Sequence, residues 1–232
     1  MDSSLYYNLI YQGVNPKNYS HLMSVLLNTE RLKSFSDSVL LVAITILAYN
    51  LFPPTIVNGQ VNQEELQNFY YNIYGLISSF MVISIFWNFS MNFFDYLKNP
   101  NETITLILIT FFVLILVTPI TTIIELQYRT WEAVTVLALL QIVNSILLMV
   151  LWWYLDRSKN LQSKELDRFI KKKAFVRLTV IPSLYAISIA LSFFNFNVAI
   201  IFPIAMIPSL VAIAKLLDVK KVNQESEQHR DQ

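Results

Sequence analysis

The chain contains no cysteine and only three glycines in 232 residues. The first absence excludes disulfides, thiolate metal sites and thiol nucleophiles, and leaves the redox compartment undetermined. No glycine-rich phosphate loop or zinc-ligand spacing occurs anywhere. Histidine is restricted to His21 and His229, both in terminal segments, so no Ser-His-Asp set can form within the body of the chain. Charge is scarce as well: 14% of residues are Asp, Glu, Lys or Arg, where a soluble domain carries about a quarter. The net charge of +1 provides no global field for nucleic acid or an acidic partner. The opening MDSSLYYNLIYQG has no basic region leading into an apolar core and is not expected to act as a signal peptide.

What is abundant is apolar surface. Hydrophobic residues make up 55% of the chain and the mean hydropathy is +0.48, which places it among integral membrane proteins. Six apolar segments, at 35–52, 69–94, 104–124, 133–154, 177–194 and 197–217, each approach the ~20 residues that cross a bilayer core as a helix. Strands are not expected, because the runs lack polar alternation and an open sheet cannot leave its edges in lipid. The expected fold is an all-α polytopic membrane protein of one six-helix unit. Residues 1–30 are expected to form a cytoplasmic or interfacial N-terminal segment, 31–218 the membrane domain and 219–232 a disordered cytoplasmic tail.

Sixteen of the seventeen basic residues fall before the first segment, after the second, between the fourth and the start of the fifth, or at the end of the sixth and beyond, and Arg129 is the exception. Such segregation predicts both termini in the cytoplasm of a multi-pass protein of the cell membrane. The loop 156–177 holds eight of these cations, including Lys171-Lys172-Lys173. Its plain reading is topology plus an interfacial helix, and anionic lipid is a candidate partner. On the other side, the connection 53–68 carries Glu64 and Glu65 without a cation. The pair either concentrates cations at an external mouth or merely solvates a loop. The neutral polar residues Ser78, Ser79, Ser84, Asn88, Gln141, Asn144 and Ser188 are expected to make interhelical hydrogen bonds.

The most informative stretch is 31–50, RLKSFSDSVLLVAITILAYN. Asp37 is the one acidic residue placed inside an apolar run away from its ends. At the bilayer centre an aspartate costs about 2.5–3.5 kcal/mol, less towards the surface, so Asp37 needs a partner or water. On a helix Phe35, Ser38, Val42, Thr45, Ile46 and Tyr49 lie within about 60° of Val42, and Asp37 points roughly 140° away. Leu41 and Leu47 fall outside that stripe. The stripe fits helix packing, which small and β-branched residues commonly serve, and equally the lining of a pore. Trp87, Asn88 and Asn92 in the second segment are candidate polar partners for Arg31 and Asp37.

Arg31, Phe35, Ser36 and Asp37 match the RxxxFSD signature that opens the first span of the transmembrane protein 175 family, and the chain resembles that family here. Ala43-Ile44-Thr45 is also similar, Trp87 resembles a family tryptophan in the second span, and Thr118-Pro119 resembles a Leu-Pro-Phe that ends the third. Ser38 stands where the family has Gly or Ala, and Ser90 or Met91 where a histidine often follows the tryptophan. The resemblance implies a potassium channel of the prokaryotic single-repeat type, a homotetramer whose first helices surround the pore. By position it implies that Val42 forms the narrowest apolar layer, with further layers at Ile46 and Tyr49 and a hydroxyl layer at Thr45. The arginine and aspartate would tie the first span to the bundle.

Passive, modestly selective conduction of K+ is therefore the expected function. It needs no catalytic residue, no cofactor and no fixed metal site. No TVGYG filter occurs, so selectivity would come from the apolar constriction and neighbouring hydroxyls. Two alternatives are a secondary transporter of a small solute, which would show paired broken helices in two halves, and a lipid-binding membrane scaffold acting through 156–177.

Overall fold

Long apolar runs separated by capped turns become long helices. The computed structural model describes residues 28–49, 51–57, 60–164, 167–201, 208–210, 212–213 and 215–216. Helix α1 spans Thr29–Tyr49, α2 Gln63–Phe94, α3 Glu102–Tyr128, α4 Trp131–Arg157, α5 Arg168–Ser192 and α6 Phe196–Ile201. Between α1 and α2, β1 (Ile56–Val57) pairs antiparallel with β2 (Gln60–Val61). Among the described residues, α1 to α4 and the Phe169–Ser192 part of α5 are long and apolar enough to cross a membrane.

The helix boundaries follow local chemistry. Asn62 starts α2 by accepting from the backbone N–H of Glu64 (3.1 Å) and Glu65 (3.4 Å). Asn101, after Pro100, caps α3 through Ile104 N at 2.9 Å, and its Nδ2 donates to the Tyr154 hydroxyl at 2.8 Å. Arg129 ends α3 in a left-handed conformation (φ 51°), its N–H bonded to Glu125 O, and Thr130 then caps α4. These caps extend α2 and α3 beyond the apolar runs 69–94 and 104–124, and α2, at 32 residues, is about 48 Å long.

Two expectations change. The fifth helix begins at Arg168 rather than near 177, because Arg168 to Lys173 are good helix formers that carry the helix into its basic flank. Arg177 is therefore inside the helix, not in a loop. The sixth segment, 197–217, lies largely outside the described residues, as do the segment 1–27 and the tail. Glu125 also turns out buried, at 7% exposure, in the last turns of α3; ending the third segment at 124 leaves it out of view.

Helices α1, α2 and α3 pack on one another, α3 packs on α4, and α4 on α5. The core is built from Ile83, Phe86, Phe93, Leu108, Phe111, Leu148, Leu151 and Leu155. Edge-to-face ring pairs Phe86–Phe111 and Phe93–Trp152, both 5.9 Å between centroids, fill it. Gly75 permits close approach of α2 and α3, since a Cβ there would stand 2.1 Å from Leu126 Cδ1. Several expected polar contacts do cross between helices: Ser79 Oγ donates to Thr122 Oγ1 (2.7 Å), Gln141 Nε2 to Thr118 Oγ1 (3.2 Å) and Ser188 Oγ to Ala199 O (2.9 Å). Each such bond adds about 0.6 kcal/mol in a membrane bundle.

Candidate functional site

Helix α1 buries Leu32, Ser36, Val39, Ala43 and Leu47 against α2 and α3. The spacing of these five is one helical face, and it leaves the opposite arc to its own surroundings. Phe35, Ser38, Val42, Thr45 and Tyr49 are exposed and Ile46 is half-buried. The arc left uncovered is wider than the stripe, because Leu41 (68% exposed) is more open than Val42 (50%). Leu47, by contrast, is 4% exposed and belongs to the core. Phe35 marks one edge of the arc, set edge-to-face on Phe112 of α3 at 5.7 Å.

The hydroxyls on this arc have a defined polarity. Ser38 Oγ donates to Ser34 O at 2.9 Å, and Thr45 Oγ1 donates to Leu41 O at 2.8 Å. With the proton committed to the helix backbone, each oxygen presents lone pairs outward, as an acceptor suited to a cation.

At the other edge, Trp87 Nε1 of α2 donates to Asp37 Oδ1 at 2.8 Å. The indole is thus the partner that Asp37, exposed at the edge of the arc, takes on the neighbouring helix. Ser36, Trp87 and Ser90 line one small cavity of about 10 Å³ beneath it, room for about one water. Arg31 is exposed and forms no ion pair with any described residue. Lys33 takes that role instead, with its Nζ 3.9 Å from Asp95 Oδ1, and Thr29 Oγ1 donates to Lys98 O at 2.9 Å. The start of α1 is therefore tied to the residues just after α2 by Thr29, ahead of the motif, and by Lys33, at one of its variable positions.

Asn88 and Asn92 do not reach Arg31 or Asp37. Asn92 Nδ2 donates to Asn88 O (2.7 Å) and Asn88 Oδ1 (3.0 Å). Asn88 is about 100° around α2 from Trp87, which turns the pair away from α1. Spacing along α2 alone did not separate these faces; the position of Trp87 against Asp37 does.

Beyond the far end of α1, Glu65 is engaged rather than free. It accepts from Thr55 N (2.6 Å), Thr55 Oγ1 (2.7 Å) and Asn62 Nδ2 (3.2 Å). The Thr55 bonds, first the backbone one, hold its carboxyl below the ordinary glutamate range. It serves the connection between α1 and α2, while Glu64 stays exposed.

Residues 31–119 match the family model for the endosomal/lysosomal potassium channel TMEM175. The resemblance of this region to TMEM175 holds. The match begins at Arg31 and ends at Pro119, from the RxxxFSD signature through Trp87 to the end of the Thr118-Pro119 pair. The fold extends the TMEM175 likeness past that point. A crystal structure of a lysosomal potassium-selective channel TMEM175 homologue from Chamaesiphon minutus superimposes with a TM-score of 0.66 at 19% identity, over 82% of this chain and 97% of that one. No curated protein matches the chain.

Proposed function

We propose that the chain conducts potassium passively through a pore lined by the first helices of several copies. The observation that carries this reading is the arc of α1, apolar and hydroxyl-bearing, left uncovered by its own chain inside the segment that matches a potassium channel family. One unit supplies one such helix, so the pore requires an oligomer, and a tetramer is the assembly in keeping with the family.

On this reading four Val42 side chains make the narrowest apolar ring, with Ile46 and Tyr49 as further layers and Thr45 as the hydroxyl layer. Confined water is unstable in an apolar ring, so the constriction gates by dewetting and passes the less strongly hydrated ion. Selectivity is modest because no carbonyl cage replaces the hydration shell. Asp37, through Trp87, and Lys33, on Asp95, hold the cytoplasmic end of α1. On this reading the apolar segment 197–217 is a sixth span that brings both termini to the cytoplasm, in keeping with the placement of sixteen of the seventeen cations. The basic flank 156–177 then lies against anionic lipid.

The test is potassium flux from liposomes that hold the purified protein. Electrogenic potassium leak without a coupled solute supports the reading. Coupled solute uptake would make the chain a transporter, and silence in both assays a scaffold.

A further inference from the structure

Arg177 lies nine residues, about 13 Å, inside α5. Its guanidinium sits over the Phe89 ring of α2 at 5.4 Å. Its Nε is shut off from solvent and has no hydrogen-bond partner, and among the described residues no carboxylate pairs with it. A half-buried cation inside the helix with no carboxylate partner among the described residues is costly and marks a site that something else completes.

Arg177 lines a cavity of about 420 Å³ between α2 and α5, within the range that small-molecule sites occupy. These two helices are not among the closely packed pairs, which is why space remains between them. The other polar walls are Ser84 and Asn88, one turn apart on α2. Asn88 Oδ1 is taken by Asn92, which leaves the Asn88 amide N–H groups for the cavity. Three donor groups thus border the space, with no carboxylate among the lining residues. Phe80, Met81, Ile85 and Leu210 supply an apolar wall, and Phe80 is exposed.

We propose that this cavity binds the phosphodiester of an anionic phospholipid, drawn from the leaflet beside the basic flank 168–173. The chemistry is that of an anion site, because donors line it and the one charge is an arginine, whose planar fork suits phosphate. A lipid rather than a free phosphate fits, because the remaining wall is apolar and its exposed Phe80 lies one turn from the exposed Ile77 on α2, continuing the apolar surface. Arg177 and Asn88 grip the phosphate, while Phe80 and Ile85 run along the glycerol and the first methylenes. The inference adds a defined site to the surface attraction of the flank proposed above, where Lys171 is already paired with Asp156. It does not depend on conduction.

The experiment is native mass spectrometry of the full chain in detergent, titrated with dioleoyl phosphatidylglycerol, dioleoyl phosphatidylcholine or inorganic phosphate. The wild type should retain phosphatidylglycerol in preference to phosphatidylcholine. Arg177→Gln should weaken that adduct roughly tenfold or more, since it removes charge-assisted hydrogen bonds. Ser84→Trp, which fills the cavity from α2 and leaves the charge, should also abolish it, and covers the case in which the Arg177 variant fails to fold. Replacing Lys171, Lys172 and Lys173 together by Gln should leave the adduct in place, which separates this site from the flank. Retention by both Arg177→Gln and Ser84→Trp would overturn the proposal. Equal competition by inorganic phosphate would make it a solute anion site, and dissociation of the oligomer by Arg177→Gln with no lipid bound to the wild type would mean that a neighbouring copy fills the cavity.

Discussion

Trp87 and Asp37 are the pair in which the chemistry of single side chains is clearest. A hydrogen bond to a charged acceptor contributes about 1.5–3 kcal/mol, and the exposure of Asp37 places this one towards the lower figure. Trp87→Phe and Asp37→Ala should each lower the unfolding midpoint of the purified protein. The double variant should lose less than the sum, since both changes remove one bond. Fully additive losses in that thermodynamic cycle would show that the contact carries no energy. Asp37→Asn keeps an acceptor and should stay closer to the wild type.

Val42 and Thr45 belong to the same scale but to ion flow. Val42→Asn should raise single-channel conductance and weaken the discrimination of potassium from sodium, because a polar ring holds water that an apolar one expels. Val42→Phe should reduce or abolish current with assembly intact. Thr45→Ala removes the acceptor oxygens at nearly constant width and should shift selectivity more than conductance. Leu41→Ala is the informative comparison, since Leu41 is exposed on the same arc. Leu47 is unsuitable, because its truncation would open a hole in the core costing about 2–5 kcal/mol. If Val42 and Leu41 substitutions alter current alike, the arc is a packing surface and the ion path lies elsewhere.

Among the elements, α3 packs on α1, α2 and α4, and its ends are held by specific caps. Asn101 both accepts from Ile104 N and donates to Tyr154 at the end of α4. Asn101→Ala should therefore cost about 1 kcal/mol for the cap and further destabilise the α3–α4 pair, whereas Tyr154→Phe keeps the cap and loses only the bond between the two helices. Comparing the two variants by chemical denaturation separates the contributions. Helix α1 is the opposite case. Only one of its faces is buried, its ties are Thr29–Lys98, Lys33–Asp95 and Asp37–Trp87, and all three gather at one end.

For the whole molecule, the absence of cysteine makes assembly directly testable. Single cysteines at Thr45 and at Leu47 should behave differently under mild oxidation. The first should give disulfide-linked dimers between copies, as a residue facing a shared axis must, and the second should not. No cross-linking at Thr45, with the protein oligomeric, would place α1 away from the axis. Cysteines at Asn58, Lys159 and Gln224 address orientation: only Asn58 should react with an impermeant reagent from outside. External labelling of Lys159 or Gln224 would overturn the arrangement with both ends inside.

Much of this was readable without coordinates, for reasons that can be named. A helix in lipid must satisfy its own backbone, so hydrophobic length alone announced the five long helices, while the caps at Asn62, Asn101 and Thr130 that set where three of them begin came only with the structure. The RxxxFSD residues marked the region that matches TMEM175, and the 100° step of the helix separated the open arc of α1 from its buried face. What that step does not contain is the partner. Whether Trp87, Asn88 or Asn92 meets Asp37 depends on how α2 is rotated against α1, which the packing of Phe86, Phe93 and Phe111 decides. Whether Arg177 is a loop cation or a charge inside a helix depends on where α5 starts and on the gap left beside α2. Hydropathy weighs residues one at a time, while both outcomes are set by contacts between helices far apart in the chain.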